Sequence, residues 1–117
     1  MDIEELRDYC LSKKSAEETT PFGPDTLVYK VGGKLFMLFG LDNEPLRFNV
    51  KCEPDKAIEL REEFSCVQPG YHMNKKHWNT IVVDGTVSKK QLMQWIDDSY
   101  ELVIKSLSKK IRQALKL

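Results

Sequence analysis

Disulfide patterns, metal-ligand spacings, long apolar runs and an excess of charge of one sign are all missing from this chain of 117 residues. Its cysteines, Cys10, Cys52 and Cys66, are odd in number and share no CxxC spacing, so they read as reduced, mostly buried thiols of an intracellular protein. Histidine is scarcer still. Cys66, His72 and His77 stand as Cys-x5-His-x4-His, which fits neither structural zinc spacing nor a helical i, i+4 pair, and no metal or cofactor is expected. A Cys66–histidine nucleophile pair would need an orienting third group that nothing in the sequence specifies, so no catalytic residue and no enzymatic activity is expected. The longest apolar run, Leu35 to Phe39, is far too short to span a bilayer. Asp2, Glu4 and Glu5 stand where a secretory signal would carry positive charge, so the expectation is a cytoplasmic protein without a membrane partner.

What is present is ordinary globular material: 41% hydrophobic and 31% charged residues, enough for one domain over residues 1–117 with a single core. Formal charge is zero but uneven. Residues 1–66 hold 9 Lys+Arg against 14 Asp+Glu, a balance of −5, and residues 67–117 hold 9 against 4, a balance of +5. A basic carboxy-terminal half permits a polyanionic partner without requiring one.

Ile3, Leu6 and Cys10 recur at helical spacing, with acidic residues in the first turn and Lys13 and Lys14 at the end, as the helix dipole favours. Ser15 to Pro24 reads as a surface loop. Thr26 to Val31 and Lys34 to Gly40 are strands joined at Gly32-Gly33. The second is apolar at every position from Leu35 to Phe39, which means either cover on both faces or an apolar patch. Leu46, Phe48 and Val50 alternate with Arg47, Asn49 and Lys51 as a half-buried third strand. Pro54 opens a second helix ending near Ser65, and Ile81-Val82-Val83 forms a fourth strand. Ser88 caps a long third helix and Ser108 a short last one. This order predicts an α+β two-layer sandwich, with an antiparallel-dominated sheet of about four strands and the helices on one face. Arg47, Asn49 and Lys51 would then point away from the helices, where Lys30, His77 or Asn79 could join them in a basic, solvated sheet face.

Pro69 to Thr80 concentrates turn formers, both histidines, paired lysines and a tryptophan just ahead of the fourth strand. Asn74 suits the cap of a short helical turn through Lys75 and Lys76. Lys75, Lys76, His72, His77 and Asn74 are groups that contact phosphate oxygens, and Tyr71 can stack on an unpaired base. The same residues also suit a solvated loop whose shape Gly70 and Asn74 set. Trp78 is expected to pack inward against the helices, with Lys75 and Lys76 facing solvent.

The segment PGYHMNKKHWNT followed by Asp84-Gly85 resembles the signature of the MmcQ/YjbR-like family. The likeness continues through Glu5-Leu6-Arg7-Asp8-Tyr9-Cys10, Glu17-Glu18-Thr19-Thr20-Pro21-Phe22-Gly23, Lys30-Val31-Gly32-Gly33-Lys34, Leu60-Arg61-Glu62-Glu63 and Trp95-Ile96-Asp97-Asp98-Ser99-Tyr100. The resemblance implies a CyaY-like fold and a DNA-binding assignment in a double-wing arrangement, with no enzymatic activity. That fold is shared with frataxin-like iron chaperones; here Asp2, Glu4, Glu5 and Asp8 form the comparable acidic cluster, which the first turn of a helix explains. The expected function is therefore a small, monomeric binding module that engages DNA through Arg47, Lys51, Tyr71, His72, Asn74, Lys75, Lys76, His77 and Asn79. The alternative is a protein-interaction or small-anion-binding domain using the same loop. A pocket favours the alternative, and an open, continuous positive strip favours DNA.

Overall fold

The first helix begins with a reciprocal cap: Asp2 accepts the Glu5 amide N–H at 2.8 Å while the Glu5 side chain reaches back to the Asp2 amide. That cap, and the pairing of Glu5 with Lys89, engage two of the amino-terminal carboxylates, Asp2 and Glu5. The computed structural model describes residues Met1–Leu117. Its elements are α1 (Ile3–Leu11), β1 (Glu17–Thr19), β2 (Thr26–Val31), β3 (Lys34–Gly40), β4 (Arg47–Lys51), α2 (Pro54–Glu63), β5 (Val67–Pro69), β6 (Trp78–Val82), α3 (Lys89–Ser106) and α4 (Lys109–Leu115). No helix is long and apolar enough to cross a membrane.

The α+β architecture and the antiparallel sheet agree with the sequence reading, but the sheet has six strands, in the order β1-β2-β3-β4-β6-β5, where about four were expected. Both additional strands are three-residue edges. β1 lies in the segment expected to be a surface loop. Its Glu-Glu-Thr composition carries no apolar alternation, and it is held instead by Glu18, which accepts from the Tyr29 hydroxyl at 2.6 Å and from two Arg7 nitrogens at 2.9 and 3.1 Å. β5 ends at Pro69, which lacks an amide hydrogen and suits an outer strand.

The helices cover one face. The main core gathers Leu6 and Cys10 of α1, Leu60 of α2 and the stripe Leu92, Trp95, Ile96, Tyr100, Val103 and Ile104 of α3 against Tyr29, Phe39, Phe48, Val50 and Ile81 of the sheet. Ser99, fully buried, ties α3 to two strands, donating to the Phe36 carbonyl at 2.5 Å and accepting the Lys51 amide at 2.8 Å. The apolar run in β3 is resolved by a bulge. The pairing passes from Tyr29↔Met37 to Lys30↔Leu35, leaving Phe36 as the additional residue. Phe36, Met37 and Phe39 thereby enter the main core, while Leu35 and Leu38 belong to a second cluster with Val28 and Trp78 on the other face.

Candidate functional site

The face of the sheet away from the helices is partly roofed by the segment between β5 and β6. Gly70 begins the roof and is buried because there is no room for a side chain: a Cβ there would lie 2.8 Å from both the Cβ and the carbonyl oxygen of Trp78. The Gly70 amide donates to that carbonyl at 2.9 Å, and the Tyr71 amide donates to Thr80 Oγ1 at 3.0 Å. His72 adopts a left-handed conformation with φ 58°, turning the chain so that Met73 comes down on Trp78. Asn74 forms a side-chain turn, accepting the Lys76 amide at 3.0 Å, and its carbonyl accepts from His77 and Trp78 at 3.1 and 3.0 Å. Asn74 thus caps a single helical turn through Lys75 and Lys76, as its place in the sequence predicts. Arg61 of α2 anchors the far end, donating to the carbonyls of Lys75 and Trp78 and, through Nε, to Asn79 Oδ1 at 2.7 Å.

Two placements differ from the sequence reading. Trp78 is buried, at 9% exposure, but among Val28, Leu38 and Met73 rather than against the helices. Asn79, expected to join the basic face, is 1% exposed and points toward α2, accepting from Arg61 and donating to the Ala57 carbonyl at 3.3 Å. The cause is register: β6 begins at Trp78, and Asn79 pairs with Val50, whose side chain faces the helices. Alternation then turns Trp78 and Thr80 to the other side.

The unroofed part of this face is a groove of about 520 Å³. Its floor carries Leu38, Asn49 and Thr80, one wall carries Tyr71, His72 and Met73, and the opposite side carries Phe22, Asp25, Asp42 and Asn43. Tyr71 and Phe22 are 62% and 70% exposed. The Arg47 guanidinium lies 5.9 Å from the centre of the Tyr71 ring and donates to Asn43 Oδ1 at 3.2 Å. A second recess of about 570 Å³, lined by Arg47, Gln68, Pro69, Tyr71, Lys75 and Thr80, lies beside the first, so Arg47, Tyr71 and Thr80 belong to both.

Of the residues expected at the site, Arg47, Tyr71 and His72 line the groove, and Arg47, Tyr71 and Lys75 line the second recess. Asn74 and Lys76 are exposed on the roof. His77 is half-buried, its carbonyl accepting the Cys52 amide at 2.8 Å. Lys51, opposite Trp78 at the end of β4, lines a separate recess of about 200 Å³ that reaches Leu60 and Trp95. The uniformly basic face is therefore not what forms: Lys30 stands at the other edge opposite Glu17, and Asp25 and Asp42 line the groove. Phe22, Asp25, Asp42 and Thr80 went unread as site residues. Only Phe22, a large aromatic in a Pro- and Gly-rich loop, carried a signal. Elsewhere, burial pushes the Cys10 thiol up to about 12 and raises that of Cys52, so both are neutral at physiological pH.

The YjbR family model matches residues 11–102. The chain is 34% identical over 116 residues to the uncharacterized protein YjbR of Escherichia coli (strain K12), covering 98% of each. It is 41% identical over 91 residues to the uncharacterized protein YbdF of Escherichia coli O157:H7, covering 77% of this chain and 74% of that one. A crystal structure of a Deinococcus radiodurans protein with domain DUF419 superposes with a TM-score of 0.92 at 38% identity, over 98% of this chain and 88% of the other. A Pseudomonas syringae protein superposes with a TM-score of 0.75 at 26% identity, over 87% and 98%. The match runs from the end of α1 to the last turns of α3 and takes in β1 to β6 with both recesses, so this chain belongs to the YjbR family.

Proposed function

We propose that this chain is a non-catalytic binding module that takes single-stranded nucleic acid, DNA in the first instance, across the open sheet face. The observation that carries the reading is Tyr71, an exposed ring between two recesses with Arg47 beside it and Lys75 behind. A base unstacked from its neighbours lies on such a ring, and base–aromatic stacking contributes about 1–3 kcal/mol per base. Its phosphates meet Arg47, Lys75 and the exposed Lys76, which position the strand without reading sequence. The indented shape favours a single strand over a duplex, and Asp25 and Asp42 would repel a second phosphate track crossing the groove.

A salt titration tests this with a labelled 12-nucleotide single strand, the same sequence as duplex, and an uncharged polymer. Affinity for the single strand should fall with salt, and Lys75→Ala with Lys76→Ala should flatten the log-log slope by roughly 0.7 for each phosphate that is no longer neutralised. Absence of binding at low ionic strength, or binding independent of salt, overturns the reading.

A second reading, a small-anion or protein-interaction site, is favoured by the gathering of Arg47, Gln68 and Lys75 around one recess. If free phosphate at millimolar concentration displaces the oligonucleotide completely, the anion alone is the ligand.

A further inference from the structure

We infer that the groove selects guanine among the bases of a bound strand; this rests on the nucleic-acid reading above and names what that site recognises. The inference follows from which hydrogen-bonding roles the groove leaves open. On the floor, the Thr80 hydroxyl accepts the Tyr71 amide at 3.0 Å and lies 2.5 Å from Asn49 Oδ1, so its own proton is directed to that oxygen. One lone pair of Asn49 Oδ1 is thereby taken within the protein, while both hydrogens of its amide NH2 are without a protein partner and are open to a ligand. Across the groove stand Asp25 and Asp42, which enter none of the chain's four ion pairs and carry only acceptors. A ligand edge that satisfies this surface needs adjacent N–H donors for a carboxylate, beside a carbonyl oxygen for the amide.

Among the bases, guanine alone has that edge, with N1–H and the 2-amino group side by side and O6 next to them. Adenine and cytosine each bring one amino group but turn a ring nitrogen acceptor toward the carboxylates. Thymine and uracil bring a single N–H between two carbonyls. The acidic groove also becomes intelligible in a protein that binds a polyanion, because the base meets Asp25 and Asp42 while its phosphate lies toward Arg47 and Lys75.

The test uses the full chain and oligothymidine 12-mers carrying one central guanine, adenine, cytosine or hypoxanthine, read by fluorescence anisotropy at fixed salt. Guanine should bind about tenfold more tightly than thymine at that position, with hypoxanthine, which lacks the 2-amino group, in between. Asp25→Asn and Asp42→Asn should abolish the guanine preference in at least one case. Both residues are exposed, so the variants should melt as the parent does. Salt-dependent binding that is indifferent to the base, or that prefers another base, overturns guanine selection and leaves the nucleic-acid reading standing. No binding to any of the oligonucleotides at low salt overturns both.

Discussion

Trp78 and Asn79 are adjacent in the chain and serve opposite faces of the sheet. The indole fills the space between Leu38 and Val28 under Met73, so Trp78→Ala should remove the small open-face cluster and cost about 3 kcal/mol or more, measured by urea melts. A variant as stable as the parent would mean the roof closes without it. Asn79 holds the Arg61 guanidinium that in turn holds the roof, and Asn79→Ala should leave that donor short of a partner at a cost of about 1–3 kcal/mol. By contrast, Lys75 and Lys76 are exposed, and their joint replacement should change stability by less than about 1 kcal/mol while weakening nucleic-acid binding. Trp78 shows why residue-level reading is incomplete. Its size and position ahead of an apolar strand foretell burial, but which face receives it depends on where the strand begins, a matter of one residue.

Among the elements, the first helix and the edge strand β1 are joined by one polar cluster, since Arg7 of α1 and Tyr29 of β2 both donate to Glu18. The Arg7 guanidinium lowers the Glu18 carboxyl below its ordinary 4.5. A carboxylate whose folded value is depressed contributes stability that is fully present above the unfolded value and is lost as pH falls through the folded one. Glu18→Gln should therefore be destabilising at neutral pH, by up to about 1 kcal/mol, and its deficit should shrink as pH drops below the ordinary carboxylate value. Urea melts at neutral and acid pH read this directly, and a deficit that does not change with pH would overturn it. The roof depends on Gly70 in the same local way. Gly70→Ala places a methyl group against the Trp78 backbone, so the segment must shift, and both stability and oligonucleotide affinity should fall.

At the scale of the whole molecule the groove is an assembly of distant segments, with Phe22 from the loop before β2 facing Tyr71 from the roof across floor residues of β3, β4 and β6. Because both rings are largely exposed, Phe22→Ala and Tyr71→Ala should leave the melting curve within about 0.5 kcal/mol of the parent yet weaken oligonucleotide binding. Tyr71→Ala should be the more severe, since that ring borders both recesses, and equal binding by parent and variant would remove the stacking role. The periodicities by themselves determined the helices, the hairpin at Gly32-Gly33, the alternation of β4 and the class of fold, because each follows from local backbone preference and from which side chains must leave water. The turn-rich segment from Pro69 was legible as the place where polar groups gather for the same local reason. Only the tertiary structure decided that β1 and β5 are strands, because three-residue edges are held by partners distant in sequence and have no period of their own. It alone decided that the bulge at Phe36 divides one apolar run between two cores, and that Asp25 and Asp42 line the same groove as Arg47 and Tyr71. Charge and hydrogen-bonding capacity at a groove depend on which segments the sheet order brings together, and no local pattern along the chain encodes that order.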